Sequence, residues 1–161
     1  MMREQILTFL ERNSKIDLKE LAIMLGSSEA VIANEVQQME KEQIICGYHT
    51  LIDWDKTSVD KTTALIEVRV TPQRGQGFDH IAERIYNYPE VKSVYLISGG
   101  YDLMVILEGK TLKEVASFVS DKLSTLDSVI STATHFILKK YKDDGIILSK
   151  KSKDERMLMT P

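Results

Sequence analysis

The spacing of apolar positions changes character once along the chain, near residue 60. Before that point apolar residues recur every three or four positions; after it, alternating runs are interleaved with further helical stripes. Residues 3–12 place Ile6, Leu7 and Leu10 on one helical face with Phe9 beside them, and Asn13-Ser14-Lys15 is a break. Asp17-Leu18-Lys19-Glu20 is a D-x-x-E start signal, in which the Asp oxygen takes a free helix N–H. Leu18, Leu21, Ala22 and Leu25 then follow the i, i+3, i+4, i+7 spacing of a buried stripe. Gly26 ends that helix and Ser27-Ser28 caps the next. In a third helix, Ser28 to Met39, the buried positions are Ile32, Val36 and Met39, and the exposed face is Glu29, Ala30, Ala33, Asn34, Gln37 and Gln38. Three short helices with a tight turn between the second and third form a helix-turn-helix pattern. Residues 44–49 and 51–54 read as two short extended runs, a small wing beside the helices.

Residues 55–62 are polar and aperiodic, so the expected domains are 1–54, a linker at 55–62, 63–145, and a charged tail at 146–161. In the second domain Ala64, Ile66, Val68 and Val70 alternate with Leu65, Glu67 and Arg69, the pattern of a strand with one dry face. After a loop at 72–77, Phe78, Ile81, Ala82 and Ile85 make a helical stripe that Tyr88-Pro89 closes. Strands are expected at 91–98 and 103–108, a helix with Leu112, Val115, Ala116, Val119 and Leu123 inward, and a last strand at 130–138. The order β-α-β-β-α-β is that of the ferredoxin-like fold, whose helices cover one face of the sheet. The third strand is apolar on both faces, from Leu103 to Leu107, and the chain has no element left to cover the other side. A second copy of the same domain is the simplest cover, so the sequence predicts a homodimer with packed sheets.

Between the second and third of these strands lies Ile97-Ser98-Gly99-Gly100-Tyr101-Asp102. Two glycines between β-branched runs suit a turn with positive φ. Tyr101 and Asp102 read in two ways. Either Asp102 caps the turn and Tyr101 covers an edge, or the loop receives a small ligand on glycine N–H groups with an acid to hold a cation or amine.

Composition narrows the class. The chain has 161 residues, 43% hydrophobic and 28% charged, which is globular. No apolar run approaches the roughly 20 residues that span a bilayer, and residues 1–4 begin no leader-like segment. The single cysteine, Cys46, forms no internal disulfide and no cysteine-based metal site, which points to a reducing cytosol. His49, His80 and His135 fall in different elements and read as surface or core side chains, so no metal or cofactor is expected. Charge is uneven: residues 1–60 carry six Lys/Arg against eleven acids, −5, within a total of −3.

Taken together these residues resemble the Lrp/AsnC, or feast/famine, transcription regulators. The resemblance rests on Ile6-Leu7-x-x-Leu10, Leu18-x-x-Leu21-Ala22 and Ile44-Ile45-x-Gly47-Tyr48 in the first part. In the second it rests on Gly100-Tyr101-Asp102 and Thr132-x-Thr134. It covers roughly residues 3–145 and implies an α+β protein: a winged helix-turn-helix followed by a ferredoxin-like effector domain. It also implies binding of double-stranded operator DNA, its own promoter included, by a dimer or ring of dimers, and a small effector, usually an amino acid. The implied effector contacts are Gly99, Gly100, Tyr101, Asp102, Thr132 and Thr134; the implied DNA-reading residues are Ser27, Ser28, Ala33, Asn34, Gln37 and Gln38.

The chain departs from that pattern in its third helix, which has no basic residue between Ser28 and Met39, and in Gln43, which stands where the family has glycine. A −5 module repels phosphates, so base reading falls to Asn and Gln side chains and binding is expected to be weak per module. Two other readings follow from the bare helix. One is a siroheme-decarboxylase-like enzyme on the same scaffold, for which Arg69, Arg74, Arg84, His80 and His135 would be the available cleft residues. The other is a sensor or co-regulator that forms mixed oligomers with a basic relative.

Overall fold

The computed structural model describes residues 1–72, 75 and 77–148, and the chain divides into two compact units between Leu51 and Ile52. The first unit holds α1 (Met2–Arg12), α2 (Leu18–Met24) and α3 (Glu29–Lys41). Its core is Ile6, Leu21, Ala22, Ile32 and Met39, with Leu7, Leu10, Leu18, Leu25 and Val36 packed around it. Truncating one such side chain typically costs about 2–5 kcal/mol, a large share of what so small a core supplies. Asp17 starts α2 by accepting from Lys19 N at 2.8 Å, and Ser28 starts α3 by accepting from Val31 N at 3.3 Å.

Both α2 and α3 end in the same way. Gly26 (φ 63) donates to Ile23 O while Ser27 N reaches Ala22 O, and Gln43 (φ 57) donates to Glu40 O while Ile44 N reaches Met39 O. This is the Schellman pattern, in which the left-handed residue is ordinarily glycine. Two expectations change here. The third helix does not stop at Met39 but runs on to Lys41, because the left-handed stop falls at Gln43. The wing is an extended segment and not a pair of strands: residues 46–53 join no ladder, and Trp54 begins a single 3₁₀ turn, Trp54–Lys56.

The second unit contains β1 (Thr62–Val70), α4 (Asp79–Tyr86), β2 (Val91–Leu96), β3 (Leu103–Gly109), α5 (Leu112–Phe118) and β4 (Val129–Phe136). The sheet is antiparallel in the order β2-β3-β1-β4, so the ferredoxin-like expectation holds. Ala64, Ile66, Val68, Leu103, Val105 and Leu107 face the helices, and Ile81, Ile85, Val115, Phe118 and Leu123 close over them. The inward stripe of α5 differs from the expected one. Leu112 and Ala116 are exposed and Phe118 is buried, meeting Tyr88 edge-on at 5.2 Å between ring centroids. The last turn of this helix widens to π geometry at Val119–Leu123, closed by Ser124 N to Val119 O.

The opposite face of the sheet carries Leu65, Glu67 and Arg69 from β1, Met104 and Ile106 from β3, Tyr95 from β2, and Ala133 and His135 from β4. His135 Nε2 lies 3.2 Å from Glu67 Oε1 on this face. Beyond the sheet, β5 (Lys142–Asp143) and β6 (Ile146–Ile147) form a small hairpin across the expected tail boundary. Its turn, Asp144-Gly145, has both residues left-handed, which the D-G pair favours. The rest of the expected tail, residues 149–161, and Arg74 lie outside the described residues. No helix among the described residues is long and apolar enough to cross a membrane.

Candidate functional site

The loop Ile97–Asp102 joins β2 to β3 and is pinned by backbone and side-chain bonds. Ile97 N donates to Asp102 O at 2.8 Å, Asp102 N to Val68 O at 3.1 Å, and Val70 N to Asp102 Oδ2 at 2.9 Å. Val68 pairs with Leu103 at the end of the β1–β3 ladder, so the Asp102 side chain takes the next free N–H of β1. This differs from the capping reading in one respect: Asp102 caps the neighbouring strand and not its own turn. One of its carboxylate oxygens is thereby engaged within the chain.

The two glycines do not serve the turn. Neither Gly99 nor Gly100 has positive φ, contrary to the sequence expectation. A Cβ on Gly100 would meet nothing within 4 Å, and one on Gly99 would meet only Ile97 Cγ2 at an ordinary 3.7 Å. Neither backbone conformation nor internal packing therefore requires glycine here. Tyr101 is half-buried at the same loop.

Thr132 and Thr134 lie on the helix-facing side of β4, opposite Val68 and Ile66 of β1. Asp102 and Thr132 are thus brought to the same end of the sheet on either side of Val68, with Thr134 one pleat further along. Thr132 Oγ1 lies 3.3 Å from Ser124 Oγ, which the π turn carries toward the strand. Ser124 was not legible as a neighbour of this group, because a π turn has no reliable sequence signal.

A larger cavity, an open cleft of about 1010 Å³, sits at the other end of the sheet, among Lys61, Glu90, Glu108, Lys110, Thr111 and Phe118. Glu108 there takes Lys61 and Lys92 at 3.3 and 3.7 Å, and Glu90 takes Lys122 at 2.7 Å. The hydrogen bond from Lys122 holds the Glu90 carboxyl below its ordinary pKa. Glu90 Oε2 is buried there with no hydrogen-bond partner among the described residues, and none of the expected effector residues lines the cleft.

In the first unit, α3 advances ~100° per residue, which puts Ala30, Asn34, Gln37 and Lys41 on one exposed stripe. Ala33 and Gln38 are half-buried at its edges, and Ser27 is half-buried in the turn. Ser28 is engaged as the helix cap. Lys41, missed by ending the helix at Met39, supplies a basic group on this stripe, and among the described residues it has no ion-pair partner. The acids lie to the sides. Glu35 and Glu42 both bind Arg3 of α1, through Nε at 2.8 Å and Nη1 at 2.7 Å, and Glu40 accepts from Tyr48 Oη at 2.8 Å. The bonds to Glu42 and then Glu35 push the Arg3 pKa further above its ordinary value, and desolvation with the Glu40 bond raises that of Tyr48.

Comparison with known proteins agrees with this fold. Residues 63–147 match the Lrp/AsnC ligand binding domain. The HTH-type transcriptional regulator YugG of Bacillus subtilis strain 168, itself uncharacterized, is 50% identical over 158 residues, 98% of this chain and 95% of that protein. A transcriptional regulator of Neisseria meningitidis, solved as a complex with L-Met, superposes with a TM-score of 0.70 at 22% identity, over 88% of this chain and 91% of that one. A feast or famine regulatory protein of M. tuberculosis, solved with L-methionine, gives 0.71 at 19% identity, over 89% and 94%. A helix-turn-helix unit, a β2-β3-β1-β4 sheet and the match over 63–147 together mean that the chain belongs to the Lrp/AsnC family of HTH-type transcriptional regulators.

Proposed function

We propose that this protein is a cytosolic, homodimeric regulator whose grip on operator DNA is set by a free amino acid bound at the Ile97–Asp102 loop. The observation that carries this reading is the loop itself. Its glycines answer to no need of the chain's own backbone or packing, and its carboxylate is fixed by Val70 N–H at 2.9 Å. An α-amino acid has an ammonium that suits the remaining capacity of Asp102 and a carboxylate that suits N–H donors at Gly99 and Gly100. Tyr101, Thr132 and Thr134 are the proposed neighbours of its side chain. The regulators of Neisseria meningitidis and M. tuberculosis solved with L-methionine support the choice of ligand class.

In the first unit, Asn34 and Gln37 are the proposed readers of base edges, with Ser27, Ser28, Ala33 and Gln38 lining the approach. A good bidentate contact is worth about 1–3 kcal/mol of discrimination. Sheet-to-sheet pairing of two copies through Leu65, Met104 and Ile106 makes the dimer, and the effector acts by favouring one assembly over another. The protein then works by binding and not by catalysis.

The test is binding to the duplex upstream of its own gene, with and without each of the twenty amino acids at millimolar concentration. The expected result is a shift in affinity with one or a few of them, abolished by Asp102→Asn. Binding that no amino acid alters would refute the effector assignment. Asn34→Ala with Gln37→Ala should erase the preference for that duplex over random sequence; both side chains are exposed.

A further inference from the structure

Arg3 lies outside the stripe of α3 that faces solvent, yet it determines the charge beside that stripe. Its guanidinium bridges two carboxylates far away in sequence: Nε to Glu35 Oε2 at 2.8 Å, and Nη1 and Nη2 to the two Glu42 oxygens at 2.7 and 3.3 Å. Around the helix, Glu35 and Glu42 fall next to each other on the flank beyond Gln38, and Ala30, Asn34, Gln37 and Lys41 form the acid-free stripe between the flanks. Without Arg3, two carboxylates would stand unpaired at the edge of that stripe, since among the described residues no other cation reaches them. A long acidic side chain there can swing toward an approaching phosphate, and the first sixty residues already carry a net −5.

We propose that Arg3 is a positioning residue for DNA binding: by clamping Glu35 and Glu42 to the flank of α3 it offsets one of their two charges, holds both carboxylates away from the stripe and leaves the stripe open to the phosphodiester backbone. Lys41 is the phosphate contact this arrangement exposes. The proposal rests on α3 being the DNA-facing helix. The forked guanidinium matters as well as its charge, because it holds one carboxylate bidentately and another at the same time.

The experiment measures binding of the full-length protein to a random-sequence duplex and to its own upstream duplex at 50 and 200 mM salt. The proteins are wild type, Arg3→Gln, Glu35→Gln with Glu42→Gln, and the triple variant, with melting temperature followed for each. Arg3→Gln should weaken binding to both duplexes about fivefold or more at the lower salt, and less at the higher, where screening is stronger. The triple variant, in which the cluster goes from −2 in Arg3→Gln to 0, should recover to wild-type affinity or tighter, because both carboxylate charges are then gone. Recovery of binding without recovery of melting temperature separates this role from a merely structural one. Wild-type affinity in Arg3→Gln would overturn the proposal, and so would a triple variant as weak as Arg3→Gln, which would mean that Arg3 touches DNA itself or only props the fold. Failure of the wild type to bind either duplex would instead overturn the DNA-facing assignment of α3 and this proposal with it.

Discussion

Asp102 Oδ2 accepts the Val70 N–H at 2.9 Å, two residues along β1 from Val68 of the last β1–β3 pair and at the point where β1 slips register against β4. One side chain thus extends a ladder and stands in the proposed effector loop, and substitutions can separate the two roles. Asp102→Asn keeps an acceptor for Val70 but loses the charge; it should leave stability within about 0.5 kcal/mol and abolish the response to the effector. Asp102→Ala orphans the N–H of the buried Val70 and should cost about 1–3 kcal/mol. Urea melts of both variants, beside effector titrations, check this. Equal loss of stability in both would point to a role for the charge within the fold.

Gly100→Ala is expected to keep the fold and even to gain about 0.4–1 kcal/mol by restricting the unfolded chain. The position has no positive φ, and a Cβ there meets nothing within 4 Å. Calorimetry of the effector binding should show affinity reduced in this variant, since the added methyl would take up space beside the proposed N–H donors. Unchanged affinity would remove Gly100 from the proposed site.

Gln43 occupies the left-handed position at the end of α3 that Gly26 occupies at the end of α2. A non-glycine residue there costs roughly 1 kcal/mol, only partly offset by the Gln43 Nε2 bond to Glu40 O at 3.2 Å. Gln43→Gly should therefore raise stability by about 0.5–1 kcal/mol, and Gly26→Ala should lower it by about 1 kcal/mol. Thermal denaturation of the helix-turn-helix signal in the full chain reads both.

Ile106 lies at the centre of the sheet face opposite the helices, paired with Leu65 on β1 and Ser93 on β2. If two copies meet there, Ile106→Glu buries an unpaired carboxylate in their interface and should dissociate the dimer. Sedimentation velocity should then give a folded monomer. A dimer that survives this substitution would place the interface elsewhere.

The sequence by itself determined the order of the helices α1 to α5 and strands β1 to β4, both helix caps and the dry face of the main strands. Asp17, Ser28 and Gly26 act within one turn of themselves, and alternation such as Ala64-Ile66-Val68 needs only the period of the pleat. It also marked Gly100-Tyr101-Asp102 and Thr132-x-Thr134 as candidate effector contacts through their resemblance to the family. What it missed depends on atoms distant along the chain. Asp102 meets Val70 across 32 positions, and Arg3 meets Glu42 across 39. The count of −5 was correct as a sum, but a sum carries no positions; the period of α3 puts Glu35 and Glu42 on its flank, and only the packing of α1 against α3 gives them Arg3 as a partner. The end of α3 was misread because Gln43 gives no local sign that it will turn left-handed. Phe118 replaced Leu112 and Ala116 inside because the sheet fixes the rotation of α5, and the period of the helix leaves that rotation undecided.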